Sequence, residues 1–458
     1  MGNVIKFGTG GWRAIIGVQF TKENVQKVAL GIAILASRQN KMSKPIFIGY
    51  DNRYLSQEAA IWAAEILGSC GLRVIMTSQS VPTPLTMFMV QKLGLYYGIE
   101  ITASHNPANY NGIKLFTQEG RDASAEDTQT LERLINFTDI RINTIDFNSL
   151  KDAGIVQINE SAIEEFTRAI LNNIQPIQKP LKILVDPMHG SGYESIKIVL
   201  EKMGCKVDFI NQNRDVCFGN RLPAPTPETL TELQEKVKGN YDLGIALDGD
   251  GDRLGIIDSN GRYITANEIL CLLYYYLRIY NGWSGPVVRN YATTHMLDKI
   301  AESVGEKCYE VPIGFKYISA KIDEVDAVLG GESSGGLTVR GHIHGKDSIY
   351  AAALFVEMVS TVGLSPSVFL SVLQRKFGSY VMVEENLPIA LKTNLDIPKF
   401  NDKVIKICQE DGCKIYFENG FVICRASGTE PLVRIFAEAP TKEKALEYID
   451  TFKSFLNL

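Results

Sequence analysis

One module recurs three times along the chain, and it limits the fold more than any other feature. An apolar segment, 45–50 "PIFIGY", leads into Asp51 and an amphipathic helix over 56–69, which ends near Gly71 before "LRVIM". The same order returns at 181–185 "LKILV" with Asp186, a Gly-rich turn, a helix over 193–203, Gly204 and "CKVDFI". It returns again from 286–288 "PVV" through a helix over 293–304 to Gly305 and "EKCYEV". Strand, polar turn, helix, glycine stop and strand make up a βαβ unit, in which glycine supplies the left-handed helix cap.

Each copy is followed by one more strand that runs into a polar loop. "YYGIEI" enters Thr102-Ala103-Ser104-His105, "YDLGIAL" enters Asp248-Gly249-Asp250, and "DAVLG" enters Gly331-Glu332-Ser333-Ser334. Open α/β sheets bind ligands at such strand ends. The expected fold class is therefore α/β, with three similar α/β domains at 1–155, 156–256 and 257–372. From about residue 375 the pattern becomes strand, helix, hairpin ("KIYFENGFVICRAS"), strand ("LVRIFAEA") and a final helix. That predicts a C-terminal α+β domain at 373–458.

A chain of 458 residues is too long for one core, in agreement with several domains. Its net charge of −5 argues against nucleic acid or an anionic membrane as partner, while a local basic cluster could still take a small anion. The eight cysteines show no Cys-x-x-Cys spacing and read as thiols of a reducing compartment. The start, "MGNVIK", lacks the form of a signal peptide, and Lys6 disfavours myristoylation. The apolar run 28–36 is too short to span a bilayer. The expectation is a soluble, cytoplasmic protein.

The strongest chemical signal is 248–253, "DGDGDR". Asp248, Asp250 and Asp252 alternate with glycines that let the backbone curl, so three carboxylates converge and repel unless a cation neutralises them. Oxygen ligands of this kind suit Mg²⁺ or Mn²⁺. An EF-hand is excluded, because Arg253 stands where its glycine belongs and Ser259 where its glutamate belongs. "GESSGG" at 331–336 offers Glu332 and the serine hydroxyls, a set that suits sugar hydroxyls or serves as a plain turn. "RASGTEP" at 425–431 offers the Arg425 fork with Ser427, Gly428 and Thr429, which suits a phosphate without a P-loop. "GTGGWR" at 8–13 is a flexible turn carrying Arg13. In "HIH", His342 and His344 have no third ligand nearby and read as a surface strand.

Ser104 and Lys114 lie in "IEITASHNPANYNGIKLF". His105 adjoins Ser104, but adjacency alone implies no Ser–His pair, and a local turn hydrogen bond explains the serine equally well. Lys114 by itself reads as a strand charge. Taken together, a phosphate cradle, a divalent-cation site, a polyol loop and a serine imply phosphoryl chemistry on a sugar.

At this point the chain resembles the α-D-phosphohexomutase family over nearly its whole length. "TASHNP", "DGDGDR", "GESSG" and "RASGTEP" occur in family order, supported by "GTGGWR" and by "GFKYI" at 314–318. The resemblance implies three α/β domains with mixed sheets plus the C-terminal α+β domain around a central cleft. It implies that Ser104 is a phosphoserine, and that Asp248, Asp250 and Asp252 bind Mg²⁺ with the phosphoserine completing the site. Glu332 and Ser334 match groups that hold sugar hydroxyls, and Arg425, Ser427, Gly428 and Thr429 the site for the non-reacting phosphate. Lys114 matches a proposed general acid/base, Arg13 and Arg253 match arginines near the reacting phosphoryl group, and Lys316 matches a ligand-contacting lysine. His105, inside the serine motif, joins the candidate catalytic set.

The implied reaction interconverts hexose 1-phosphate and hexose 6-phosphate through a hexose 1,6-bisphosphate that turns over in the cleft, where closure of the fourth domain is expected. Gly336 stands where some mannose- and glucosamine-active members carry His, a lean toward glucose. Phosphomannomutase, dual-specificity and phosphoglucosamine mutase readings stay open, as do a Mg²⁺-dependent phosphatase and a non-catalytic sugar-phosphate-binding protein. The expected partner is a phosphosugar, with no nucleic acid and no membrane, for a monomer or homodimer.

Overall fold

The computed structural model describes residues 4–8, 10–137, 143–388, 397–426 and 432–456. The chain forms two compact units, Met1–Ile264 with Gly336–Ser365, and Thr265–Gly335 with Pro366–Leu458.

All three modules adopt one arrangement. In the first, strand Ile46–Tyr50 lies between Val74–Thr77 and Tyr97–Ile101, both parallel to it. In the second, Lys182–Asp186 lies between Lys206–Phe209 and Leu243–Leu247, again both parallel. In the third, Val287–Asn290 lies between Cys308–Val311 and Leu329–Gly331 in the same sense. The polar loop follows the third strand each time, so Ser104, Asp248 and Glu332 hold equivalent places. Parallel strands covered on both faces read as unbroken apolar runs, and "IFIGY", "YGIEI" and "LGIAL" are buried at every residue. The glycine stops behave as the sequence predicts, with Gly71, Gly204 and Gly305 at φ of 87°, 86° and 72°.

Antiparallel strands extend two of these cores into mixed sheets. Tyr110–Thr117 pairs with Tyr97–Ile101, and Trp12–Ile15 pairs with Tyr110–Thr117, which brings Arg13 and Lys114 beside the serine loop. Leu254–Asp258 pairs with Leu243–Leu247. The edge strand Val156–Asn159 joins the first sheet through Val74–Thr77, one residue past the expected boundary at 155. Leu254–Asp258 likewise runs across the expected boundary at 256.

The described C-terminal strands build a five-stranded antiparallel sheet, ordered Val381–Leu387, Val433–Ala439, Gly420–Ala426, Cys413–Phe417 and Lys406–Cys408. Helix Lys442–Phe455 buries Ala445, Tyr448, Ile449 and Phe452 on it. The helix expected between the first strand and the hairpin does not form over 397–405, and 389–396 lies outside the described residues.

The "HIH" expectation is corrected. Residues 341–347 form turns, not a surface strand. The His342 side chain is buried with Nε2 2.6 Å from Asp347 Oδ2, and Asp347 caps helix Ser348–Val362 through the Ile349 and Tyr350 N–H groups. An isolated apolar "I" between two histidines mimics strand alternation, but the cap sets the backbone here. Among the described residues no single helix is long and apolar enough to cross a membrane.

The serine loop is pinned from beneath by Arg53, which is wholly buried. Its Nη1 donates to the carbonyls of Pro107 (2.9 Å) and Tyr110 (3.0 Å), and its Nη2 to those of Ser104 (2.6 Å) and Asn106 (2.7 Å). Asp51 Oδ2 lies 3.3 Å from its Nε, and the Phe218 ring stacks at 4.8 Å. Only the planar, five-donor fork of arginine can serve four carbonyls at once. Ser104 needs that support, because its φ of 53° is left-handed and unfavourable for a residue with a Cβ. Arg53→Met would strand those carbonyls and Asp51, at about 1–3 kcal/mol for each stranded buried group. We expect amide hydrogen exchange over 102–112 to speed up by at least about 100-fold. Unchanged protection there would contradict the clamp.

Candidate active site

The acidic loop follows strand Leu243–Leu247 and is folded by its own first carboxylate. Asp248 Oδ1 accepts the N–H groups of Asp252 (2.8 Å) and Arg253 (3.0 Å), which turns the three side chains to one side. One carboxylate oxygen from each of Asp248, Asp250 and Asp252 lies within 4.8 Å of the others, and all three residues are buried. Glycine at 249 is required, because a Cβ there would meet the Ser104 carbonyl oxygen at 2.8 Å. The acidic loop and the serine loop are therefore in direct backbone contact.

Ser104 Oγ lies 3.2 Å from Asp248 Oδ2 and 3.3 Å from His105 Nδ1. The adjacent histidine does face the serine, and burial together with Arg253 and Arg13 holds its pKa well below the usual imidazole range. A neutral ring can accept from the hydroxyl. Its basicity is too depressed for it to act as a strong general base.

Two ammonium groups balance the carboxylates. Lys114 Nζ lies 2.6 Å from Asp250 Oδ2 and 2.9 Å from Asp252 Oδ2. Lys346 Nζ reaches the same Asp252 oxygen at 2.9 Å. Thr83 Oγ1 donates to Asp250 Oδ2 at 2.6 Å. Burial works against the Lys114 charge, but Asp250 and Asp252 outweigh it and raise the pKa. Burial also opposes ionisation of Asp252, and Lys114, Lys346 and Arg253 hold it well below the carboxylate range. Burial plus Asp252 and Asp250 push Asp248 well above that range.

Asp250 Oδ1 and Asp252 Oδ1 are buried and have no hydrogen-bond partner. With Asp248 Oδ2 and Ser104 Oγ they make an all-oxygen donor set of the kind that suits Mg²⁺ or Mn²⁺. The residues fit a divalent cation.

Arg13 and Arg253 flank this group. Arg13 Nη1 donates to Asn106 Oδ1 at 2.5 Å, and Gly10 leaves room for the guanidinium, since a Cβ there would lie 2.8 Å from Nη2. Burial lowers the Arg13 pKa against the pull of Asp250. Arg253 Nε lies 3.9 Å from Asp252 Oδ1, too far for a hydrogen bond, and makes none among the described residues.

Ser104, His105, Lys114, Arg13, Arg253 and the three aspartates thus gather within the first unit. The other candidates lie in the second. Glu332 is buried, with Oε1 accepting from Asn290 Nδ2 at 3.1 Å and Oε2 3.4 Å from Ser334 Oγ. Lys316, on helix Phe315–Val325, holds its ammonium 5.0 Å over the Tyr317 ring. Arg425 is next to last in strand Gly420–Ala426, with Nε and Nη2 each 3.1 Å from Asp411 Oδ1. Ser427, Gly428 and Thr429 lie outside the described residues.

Sequence reasoning missed Arg53, Asn290, Thr83 and Lys346. Lys346 depends on Gly336, where a Cβ would lie 2.2 Å from its Cδ, so the glycine leaves the space that the lysine stem fills. The usable signal for Arg53 was an Asp-x-Arg directly after a fully apolar strand.

Comparison with known proteins gives the family. Four phosphoglucomutase/phosphomannomutase models match the chain: α/β/α domain I at 4–140, domain II at 164–261, domain III at 265–377 and the C-terminal domain at 382–454. A phosphoglucomutase/phosphomannomutase of Thermococcus kodakarensis is 32% identical over 97% of this chain and 96% of its own. A phosphoglucosamine/phosphogalactosamine mutase of Sulfurisphaera tokodaii is 30% identical over 98% of each. A phosphoglucomutase/phosphomannomutase family protein of Burkholderia thailandensis shares the fold, with a TM-score of 0.83 over 99% of this chain and 97% of that one at 23% identity. The chain belongs to the phosphoglucomutase/phosphomannomutase family, the α-D-phosphohexomutases, and is an isomerase that moves phosphate within its substrate.

Proposed function

We propose that the chain interconverts hexose 1-phosphate and hexose 6-phosphate, with glucose as the preferred sugar, through a phosphoserine at Ser104 and a hexose 1,6-bisphosphate. The observation that carries this reading is Ser104 Oγ at 3.2 Å from Asp248 Oδ2, a member of the trio in which Asp250 Oδ1 and Asp252 Oδ1 have no hydrogen-bond partner. Asp248, Asp250 and Asp252 would hold Mg²⁺ with Ser104, and the ion would supply charge neutralisation for the transferring phosphoryl group.

The chain's own residues divide the remaining work. As the Ser104 Oγ–P bond breaks and the bond from phosphorus to the sugar oxygen forms, charge returns to Oγ. Arg13, Arg253 and Lys346 offer cations to the phosphoryl oxygens. Lys114, an ammonium, would give its proton to the oxygen that leaves phosphorus and take up the one the attacking hydroxyl releases, so each transfer leaves it charged. Against burial, Asp250 and Asp252 raise its pKa, and a divalent ion held by the same carboxylates would offset that pull. In the second unit, Glu332 and Ser334 would hold sugar hydroxyls, and Lys316 would contact the ligand as well. Arg425 with Ser427, Gly428 and Thr429 would take the second phosphate. As holders of hydroxyls that glucose and mannose share, Glu332 and Ser334 would not read the configuration at C2. The glucose preference therefore rests on Gly336, and the amino-sugar activity named for one relative is its competitor. A cytoplasmic location accords with this metabolism.

A phosphatase using Asp248 as nucleophile is disfavoured. Its Oδ1 is spent on two backbone N–H groups, and its Oδ2 faces the serine.

Intact-mass measurement should find wild type carrying one phosphoryl group that Ser104→Ala lacks. Full activity in that variant would sink the reading. kcat/KM on glucose, mannose and glucosamine 1-phosphates, each with its bisphosphate, should be highest for glucose, and equal values would remove the glucose assignment. Asp250→Asn should lower kcat by at least about 100-fold while KM stays within about threefold. An unchanged kcat would count against the metal assignment.

A further inference from the structure

Within the second unit a buried ionic cluster lies where the C-terminal sheet meets loop 290–295. Lys414, on strand Cys413–Phe417, is buried with Nζ 2.5 Å from Glu310 Oε1, and it donates to the Tyr291 carbonyl at 2.7 Å. The Phe421 and Tyr416 rings stand 3.8 and 4.6 Å from the ammonium. Arg289 Nη1 shares Glu310 at 2.6 Å, and Tyr416 donates to its other oxygen at 2.5 Å. Glu438, fully buried on strand Val433–Ala439, accepts the His295 N–H at 2.9 Å. The loop is therefore tied to the sheet at both ends.

A buried ion pair adds little net stability, because desolvation offsets its attraction. What it does supply is fixed geometry, and here the geometry leads to Glu332. Asn290 starts the loop, and its Oδ1 accepts the Ala292 N–H at 3.0 Å and the Thr293 hydroxyl at 2.8 Å. With the oxygen so engaged, the amide nitrogen is the end that faces Glu332 Oε1, at 3.1 Å. Turned the other way, the amide would set an oxygen against a carboxylate oxygen, and Glu332 would swing away.

We propose that Lys414 and Glu438 are positioning residues for the sugar site: they hold loop 291–295 on the C-terminal sheet, and the loop fixes Asn290 so that its N–H groups orient the Glu332 carboxylate. This rests on the reading of Glu332 as a sugar-hydroxyl acceptor. It makes the placement of the C-terminal domain a condition for binding the hexose, not only its phosphate.

A double-mutant cycle tests it, using the hexose 1-phosphate that wild type turns over best. Asn290→Ala and Lys414→Met should each raise KM about tenfold, the worth of one hydrogen bond to a charged group, with kcat within about threefold. Because both act on one bond, the double variant should also show about tenfold, not a hundredfold. An additive double, or an unchanged KM in Lys414→Met, overturns the proposal. If Lys414→Met does not fold, Glu438→Ala replaces it in the cycle with the same expected outcome. Glu332→Gln is measured alongside. An unchanged KM there defeats the sugar-site reading itself, whereas a raised KM with an additive double defeats only the positioning role.

Discussion

Three carboxylates buried within 4.8 Å of one another cannot all stay charged unless cations are held against them. Two lysine ammoniums meet part of that need here, Lys114 and Lys346, both on Asp252 Oδ2, while Asp248 is still pushed toward its neutral form. They leave one oxygen on each of Asp250 and Asp252 without a partner. That remainder suits a small, hard, doubly charged ion. In the proposed reaction, a serine oxygen next to such an ion would carry a phosphoryl group whose charge the ion offsets.

The fold is the means of bringing these groups together without exposing them. Ser104 comes from the end of one parallel strand and Asp248 from the equivalent strand of the next module, so one repeated topology supplies both loops. Antiparallel strands then add Arg13 and Lys114 from the same sheet. Glycines at 249 and 336 set how close the parts can come, one admitting a carbonyl and the other a lysine stem. Arg53 supplies the rigidity, holding four carbonyls of a loop whose serine has a left-handed backbone.

What could be read in advance follows the range of each interaction. The three modules and the acidic trio were legible because their logic is local: alternating Asp and Gly, an apolar strand, a glycine stop. Ser104 was legible only in combination with distant motifs, because a polar turn containing serine has many uses. Lys346 was not legible, since its reach depends on a missing side chain ten residues earlier and a carboxylate from another loop. Asn290 was hidden for a similar reason, its orientation being set by a loop tied to a different sheet. Val156–Asn159 lies past the expected boundary at 155 because a short edge strand needs little apolar character to mark it. "HIH" misled because two polar residues around an isoleucine imitate a strand, when the Asp347 helix cap dictates the turn.

The proposed reaction moves phosphate between two oxygens of one sugar, with Ser104 as the way station. Phosphorus-31 NMR follows every phosphorus atom at once. Wild type given glucose 1-phosphate, Mg²⁺ and a trace of glucose 1,6-bisphosphate should convert the 1-phosphate signal into the 6-phosphate signal with no inorganic phosphate. Inorganic phosphate rising in step with loss of glucose 1-phosphate would contradict the account and mark the acidic trio as the centre of a phosphatase.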